Sequence, residues 1–133
     1  MKAIIAINKK GVIGDKGKIP WKCKADLQHF KKLTEGCSCI VGRKTAEKLP
    51  KLKNRALYIA SSENPLSSIL KFSPDWVIGG AEIYRQLLPL CSEIHVSLIE
   101  DDSDGDTKFD IPSSLKDRCI YYNFKTDGNE DLL

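Results

Sequence analysis

Residues Ala3-Ile4-Ile5-Ala6-Ile7 form an unbroken apolar run between Lys2 and Asn8. Successive side chains of a strand point to opposite faces, so a strand with one wet face alternates apolar and polar residues. A run without alternation needs cover on both faces, and that cover is ordinarily helical. The segment is Ile-rich and short, and it reads as a central strand of a mostly parallel sheet. Such a sheet requires strands that alternate with helices in right-handed crossovers.

The rest of the chain meets that requirement. Lys9 to Pro20 is a loop punctuated by Gly11, Gly14 and Gly17. Ala25 to Thr34 reads as an amphipathic helix, with Leu27, Phe30 and Leu33 as its apolar stripe and Lys24, Gln28, Lys31 and Lys32 on its wet side. Ser38 to Val41 is a second strand, ending in Gly42-Arg43-Lys44-Thr45, which opens a short helix. Ala56 to Ala60 is a third strand and ends at Ser61-Ser62. Ser67 to Phe72 forms a helical turn or two. Asp75 to Ile78 is a fourth strand, followed by Gly79-Gly80 and a helix from Ala81 to about Leu88, where Pro89 stops it. Glu93 to Ile99 and Arg118 to Phe124 are the fifth and sixth strands, with an acidic loop, Asp101 to Asp106, between them. The tail Lys125 to Leu133 reads as frayed. The expectation is one α/β domain over residues 1–133, with a mostly parallel central sheet of about six to seven strands and flanking helices.

Composition narrows the function classes. The chain has 133 residues, 41% hydrophobic and 29% charged, which fits one soluble domain and excludes a disordered chain. Lys and Arg number 21 against 18 Asp and Glu, a net charge of +3, too mild to argue for nucleic acid or an anionic membrane. The apolar runs are too short to span a bilayer, and the N-terminus lacks the features of a secretion signal. The five cysteines, Cys23, Cys37, Cys39, Cys91 and Cys119, are odd in number and include no CxxC. They give neither a disulfide framework nor zinc spacing, so no metal is expected. They read as buried free thiols in a reducing cytoplasm, with Cys37 and Cys39 on one face of their strand.

In open parallel sheets ligands sit beyond the carboxyl ends of the strands. Here those ends are Gly42-Arg43-Lys44-Thr45, Ser61-Ser62 and Gly79-Gly80-Ala81, rich in glycine, hydroxyls and bases. Free amides and bare backbone at such ends suit phosphates. The fingerprints G-x-G-x-x-G and G-x-x-x-x-G-K-[ST] are both absent, which disfavours a dinucleotide fold of the usual kind and a P-loop. Asp26 either favours the start of its helix electrostatically or faces a pocket from beside the apolar stripe, where it would bind an NH-rich heterocycle. Arg43 and Lys44 are either solvated bases or phosphate ligands. Gly79-Gly80 is either a tight turn or a place where a ligand meets backbone. Trp21 is core or pocket wall, and His29 and His95 carry no assigned role. On these residues alone the chain is an α/β domain with an anion-binding site at its strand ends, and no reaction is identified.

Six segments taken together resemble dihydrofolate reductase: Ala6-Ile7-Asn8 with Gly11-Val12-Ile13-Gly14; Ile19-Pro20-Trp21; Asp26-Leu27-x-x-Phe30-Lys31-x-x-Thr34; Ile40-Val41-Gly42-Arg43-Lys44-Thr45; Val77-Ile78-Gly79-Gly80-Ala81-Glu82-Ile83-Tyr84; and Gly105-Asp106-Thr107-x-Phe109. Their order and spacing fit from Met1 to about Phe124. The resemblance implies a catalytic group of Asp26, Trp21 and Ser97. Asp26 would bind the pterin and favour N5 protonation, Ser97 would stand where the family usually has Thr, and Trp21 would position a water. It implies a substrate wall of Ile4, Leu27, Phe30, Leu49, Leu52 and Ile78, with Arg55 clamping the glutamate α-carboxylate. It implies NADPH as cofactor: Ala6, Ile13 and Gly14 at the nicotinamide; Gly79, Gly80 and Ala81, with Glu82, Ile83 and Tyr84 following, at a cis Gly–Gly turn near the pyrophosphate. Gly42 and Thr45 would lie at phosphate, and Arg43, Lys44, Ser61 and Ser62 around the 2′-phosphate. Asp106 would brace the Lys9-to-Pro20 loop.

Three departures go with the resemblance. Glu82 stands where some members have a base near the cofactor. Ser61 to Trp76 is shorter than the family norm, and the final antiparallel strand of the sheet is expected to be missing. The implied protein is a cytoplasmic monomer acting on dihydrofolate with NADPH, with a dimer through the exposed sheet edge as the other arrangement. Two further functions stand beside it: a reductase of riboflavin synthesis on the same fold, against which Asp26 and Pro20-Trp21 argue, and a shortened homologue that binds folate or NADPH with little turnover.

Overall fold

The computed structural model describes residues 1–49 and 53–127. The apolar run is strand β1 (Lys2–Asn8), and it lies inside the sheet, paired in parallel with β5 (Trp76–Val77) on one side and β6 (Glu93–Glu100) on the other. Its side chains divide as a doubly covered strand requires. Ala3 and Ile5 enter one buried cluster with Val77, Ile83, Leu87 and Val96. Ile4 enters a second cluster with Cys39, Val41, Trp76 and Ile78 on the other face. Burying one such Ile in full contributes about 2 kcal/mol over leaving it exposed.

The other strands are β3 (Ser38–Gly42), β4 (Ala56–Ala60) and β8 (Cys119–Lys125), and the sheet order is β4-β3-β5-β1-β6-β8. All neighbours in this six-stranded sheet are parallel, so among the described residues it holds no antiparallel strand. A two-stranded antiparallel ribbon, β2 (Val12–Gly14) with β7 (Thr107–Lys108), corrects the reading of Lys9 to Pro20 as loop throughout and adds a strand just after the acidic loop.

Helix α1 (Lys24–Thr34) covers one face of the sheet. Phe30 and Leu33 are half-buried against the second cluster, while Lys24, Gln28, Lys31 and Lys32 are exposed as expected. Leu27 departs from that pattern at 40% exposure, because it faces a cleft instead of core. Helix α2 (Arg43–Lys48) leaves the end of β3, and α3 (Leu66–Ile69) runs on into a 3-10 turn at Leu70–Phe72. Helix α4 (Ala81–Leu87) follows β5, and Ile83, Tyr84 and Leu87 bury its inner face. Pro89 does not end that segment abruptly: the chain tightens into a 3-10 turn, Leu88–Leu90, which needs fewer backbone donors. Asp75, expected in a strand, instead accepts hydrogen bonds from the Ser38 amide and hydroxyl.

All five cysteines are free, but only Cys39 and Cys91 are buried; Cys23, Cys37 and Cys119 are half-buried. Cys37 precedes β3 and packs on the same cluster as Cys39. Most of the tail expected to fray, and Leu52, lie outside the described residues. No helix among the described residues is long and apolar enough to cross a membrane.

Candidate active site

A cleft of about 1110 Å³ opens at the carboxyl ends of β1, β3 and β5. Single small-molecule sites run to roughly 300–1,000 Å³, so this cleft stands just above the upper end of that range.

One end is apolar with a single carboxyl set into it. Ile4, Leu27, Phe30, Leu49 and Ile78 line this end, and Trp21, 7% exposed, closes it from a cluster with Val12 and Ile99. Asp26 stands in the first turn of α1, half-buried, on the cleft wall. It is not the cap of its helix: the N-cap is Cys23, with no side-chain cap bond, and the Lys24 amide donates to Asp127 Oδ1 at 3.1 Å. Burial raises the Asp26 carboxyl above its ordinary value, because the charged form loses hydration. The Ser97 hydroxyl and His29 pull it the other way. Ser97 Oγ is itself buried, and among the described residues it closes no hydrogen bond. Its pull on Asp26 is therefore that of a nearby hydroxyl that has not closed a bond onto the carboxyl.

The other end is backbone and bases. The Gly79–Gly80 bond is cis, and Gly79 has φ +124°, a conformation that favours glycine. A Cβ on Gly80 would lie 2.8 Å from Thr45 Oγ1, and one on Gly42 would lie 3.2 Å from Ile83 Cγ1. The Gly42 amide donates to the Gly79 carbonyl at 2.8 Å, which ties the two turns together. Bare backbone, the Thr45 hydroxyl and the Arg43 and Lys44 cations fit a phosphate-bearing ligand. Arg43 pairs with Glu47 at 3.1 Å and Glu82 pairs with Arg85, all on exposed side chains. Ala81, Ile83 and Tyr84 complete this wall, and the Tyr84 hydroxyl donates to the Ile4 carbonyl at 2.7 Å, joining the two ends.

Between the ends, Ala6, Ile13 and Gly14 line the floor and Ser61 the far rim. The loop after β2 crosses over the cleft, with Gly17 packed on the Lys48 side chain. Asp106 holds that loop: it accepts from the Lys16 amide at 3.0 Å and from Thr107 Oγ1 at 2.8 Å.

Two residues expected in the site are not on the cleft wall. Ser62 is exposed one residue beyond the rim. The Arg55 guanidinium is drawn beneath α1, donating to Thr34 Oγ1 and to the Lys31 and Lys53 carbonyls. The Lys31 carbonyl belongs to the last turn of α1, where helix carbonyls lack intrahelical partners, and Lys53 lies in the bend before β4. Sequence reasoning missed Lys18, Lys22, Cys23, Lys24, Lys48 and Asp127 on the cleft rim, since no local pattern marks a residue brought there by a loop or a distant tail.

A family model described as dihydrofolate reductase matches residues 1–69 and 54–118. The chain is 39% identical over 129 residues to dihydrofolate reductase type 15 of Escherichia coli, covering 84% of this chain and 82% of that protein. It is 33% identical over 140 residues to dihydrofolate reductase type 8 of the same species, covering 86% and 83%. Among solved structures, it is similar to the dihydrofolate reductase from Enterococcus faecalis complexed with NADP(H) and RAB-propyl, with a TM-score of 0.74, 29% identity, and 84% and 77% of the two chains covered. Matches of this identity across most of the length, on a fold that superposes, settle the kinship: this chain belongs to the dihydrofolate reductase family.

Proposed function

We propose that this protein reduces 7,8-dihydrofolate to 5,6,7,8-tetrahydrofolate with NADPH. The observation that carries the reading is Asp26, a half-buried carboxyl among apolar side chains at one end of a cleft whose other end is glycine backbone. NADPH, when bound, supplies a hydride from nicotinamide C4 to pterin C6.

The chain's own residues do the rest. The Asp26 carboxylate accepts two hydrogen bonds from the N–C–N edge of the pterin and fixes its orientation. Its charge, poorly hydrated, makes the protonated pterin more favourable, and a water carries the proton to N5. Ser97 extends that contact, and Trp21 holds the water side of the ring. Leu27, Phe30, Leu49 and Ile78 take the apolar faces of the substrate, and Arg55 serves its carboxylate tail with the guanidinium N–H groups its three partners leave free. Leu52 is assigned to the same wall. Gly79, Gly80 and Thr45 admit the pyrophosphate, Arg43 and Lys44 favour the 2′-phosphate, and Ala6, Ile13 and Gly14 take the nicotinamide. The loop over the cleft excludes water, which strengthens every polar contact beneath it.

The test is dihydrofolate-dependent loss of NADPH absorbance. The wild-type protein is expected to turn over, and Asp26→Asn to lower kcat by about a hundredfold at neutral pH. No turnover by folded wild-type protein, or full activity in Asp26→Asn, would overturn the reading.

A further inference from the structure

Behind the cleft wall lies a cluster that the chemistry above does not use. His29 follows Asp26 by three residues on α1, which makes the two side chains neighbours. The His29 ring lies 4.1 Å from the ring of Tyr122 and 5.4 Å from that of Phe124, both on β8. Its Nε2 is buried and, among the described residues, has no hydrogen-bond partner. The Tyr122 hydroxyl is hydrogen-bonded with His95 Nδ1 at 2.9 Å, and His95 Nε2 lies 2.9 Å from Glu93 Oε1. Glu93, His95, Tyr122 and His29 thus form a line of groups that reaches from the start of β6 to the side of Asp26.

We propose that His29 is a positioning residue for Asp26: an imidazole clamped on Tyr122 and Phe124 that fixes the carboxyl against the cleft and adds a cation beside it in acid. A residue needed only to fill this space would be apolar, because sealing an imidazole nitrogen from water without a partner costs free energy. The groups that face His29 are Asp26 on its own helix, His95 on β6 with Glu93 behind it, and the Tyr122 phenol on β8. Burial pushes the ring toward its neutral form, Asp26 opposes this, and His95 adds to it. His29 is therefore neutral near pH 7 and takes up its proton below its ordinary range. There its charge favours the ionised carboxyl, which keeps Asp26 charged in mildly acidic medium.

The inference rests on Asp26 as the pterin-binding carboxylate, and its test separates the two. In the ligand-free protein, the Asp26 carboxyl is titrated by NMR in wild type, His29→Phe and His29→Gln. The Phe variant keeps the aromatic stack and Gln keeps a polar group, so one of them is expected to fold. Either uncharged variant is expected to move the Asp26 midpoint upward. In parallel, His29→Phe is expected to raise KM for dihydrofolate about three- to tenfold near pH 5, with KM for NADPH unchanged, and to have no such effect in an Asp26→Asn background. An unmoved Asp26 midpoint in a folded variant, or an equal KM change with and without Asp26, overturns the proposal. The ligand-free titration decides the role of His29 even if the wild type does not turn over dihydrofolate.

Discussion

Asp26 has two candidate duties in the sequence, helix start or pocket, and the choice between them falls to a residue a hundred positions away. Asp127 takes the free amide at the start of α1, which leaves Asp26 turned to the cleft. The cost of that placement is testable. The folded-state value of Asp26 is raised above its ordinary 3.8, so folding disfavours the charged form. The penalty is present in full above the folded value and disappears as pH falls toward 3.8. Asp26→Asn is therefore expected to melt at a higher temperature than wild type at pH 7, with the difference closing near pH 4, while it loses activity. A melting temperature at pH 7 equal to or below that of wild type would show that the carboxyl is not desolvated. Arg55 is the opposite case. Its charge is plain in the sequence, but its engagement with the Lys31 and Lys53 carbonyls and Thr34 appears only once α1 and the bend before β4 are folded together.

At the scale of elements, the continuous apolar run and the amphipathic helix were legible, because hydrophobic periodicity reports burial directly. The ribbon of β2 and β7 was not. Both strands are very short, and each is made by pairing with a partner about ninety residues distant. Gly105 shows how tightly that ribbon closes: a Cβ there would lie 2.5 Å from both the Gly14 carbonyl oxygen and Val12 Cγ1. Gly105→Ala forces β2 or the acidic loop to shift, at a cost of about 1–3 kcal/mol. It is expected to lower the melting temperature and, by loosening the loop that Asp106 holds, to raise KM for NADPH. An unchanged melt would mean that the ribbon gives way freely. Leu27 carries the same lesson for α1, since a helical stripe does not reveal whether it faces core or cavity.

For the whole molecule, burial sets which thiols react. Burial pushes the Cys39 and Cys91 thiols up to about 11, so little thiolate forms on them at pH 8. A disulfide reagent at that pH is expected to label Cys23, Cys37 and Cys119 in the native protein, and all five once it is unfolded. Rapid native labelling of Cys39 would show that the second cluster opens. Bound ligand is expected to slow Cys23, which lines the cleft. By itself the sequence determined the α/β class, the parallel sheet, the strand ends that meet at the cleft and, through its motifs, the family. These features are written in local spacing, and each segment carries its own part. Tertiary structure alone decided which way Asp26 faces, that Arg55 lies beneath α1, that a two-stranded ribbon flanks the site, and that His29 and Tyr122 stand behind the carboxyl. Each of these depends on contacts between residues far apart in the chain, and local spacing holds no record of such a contact before the sheet brings its partners together.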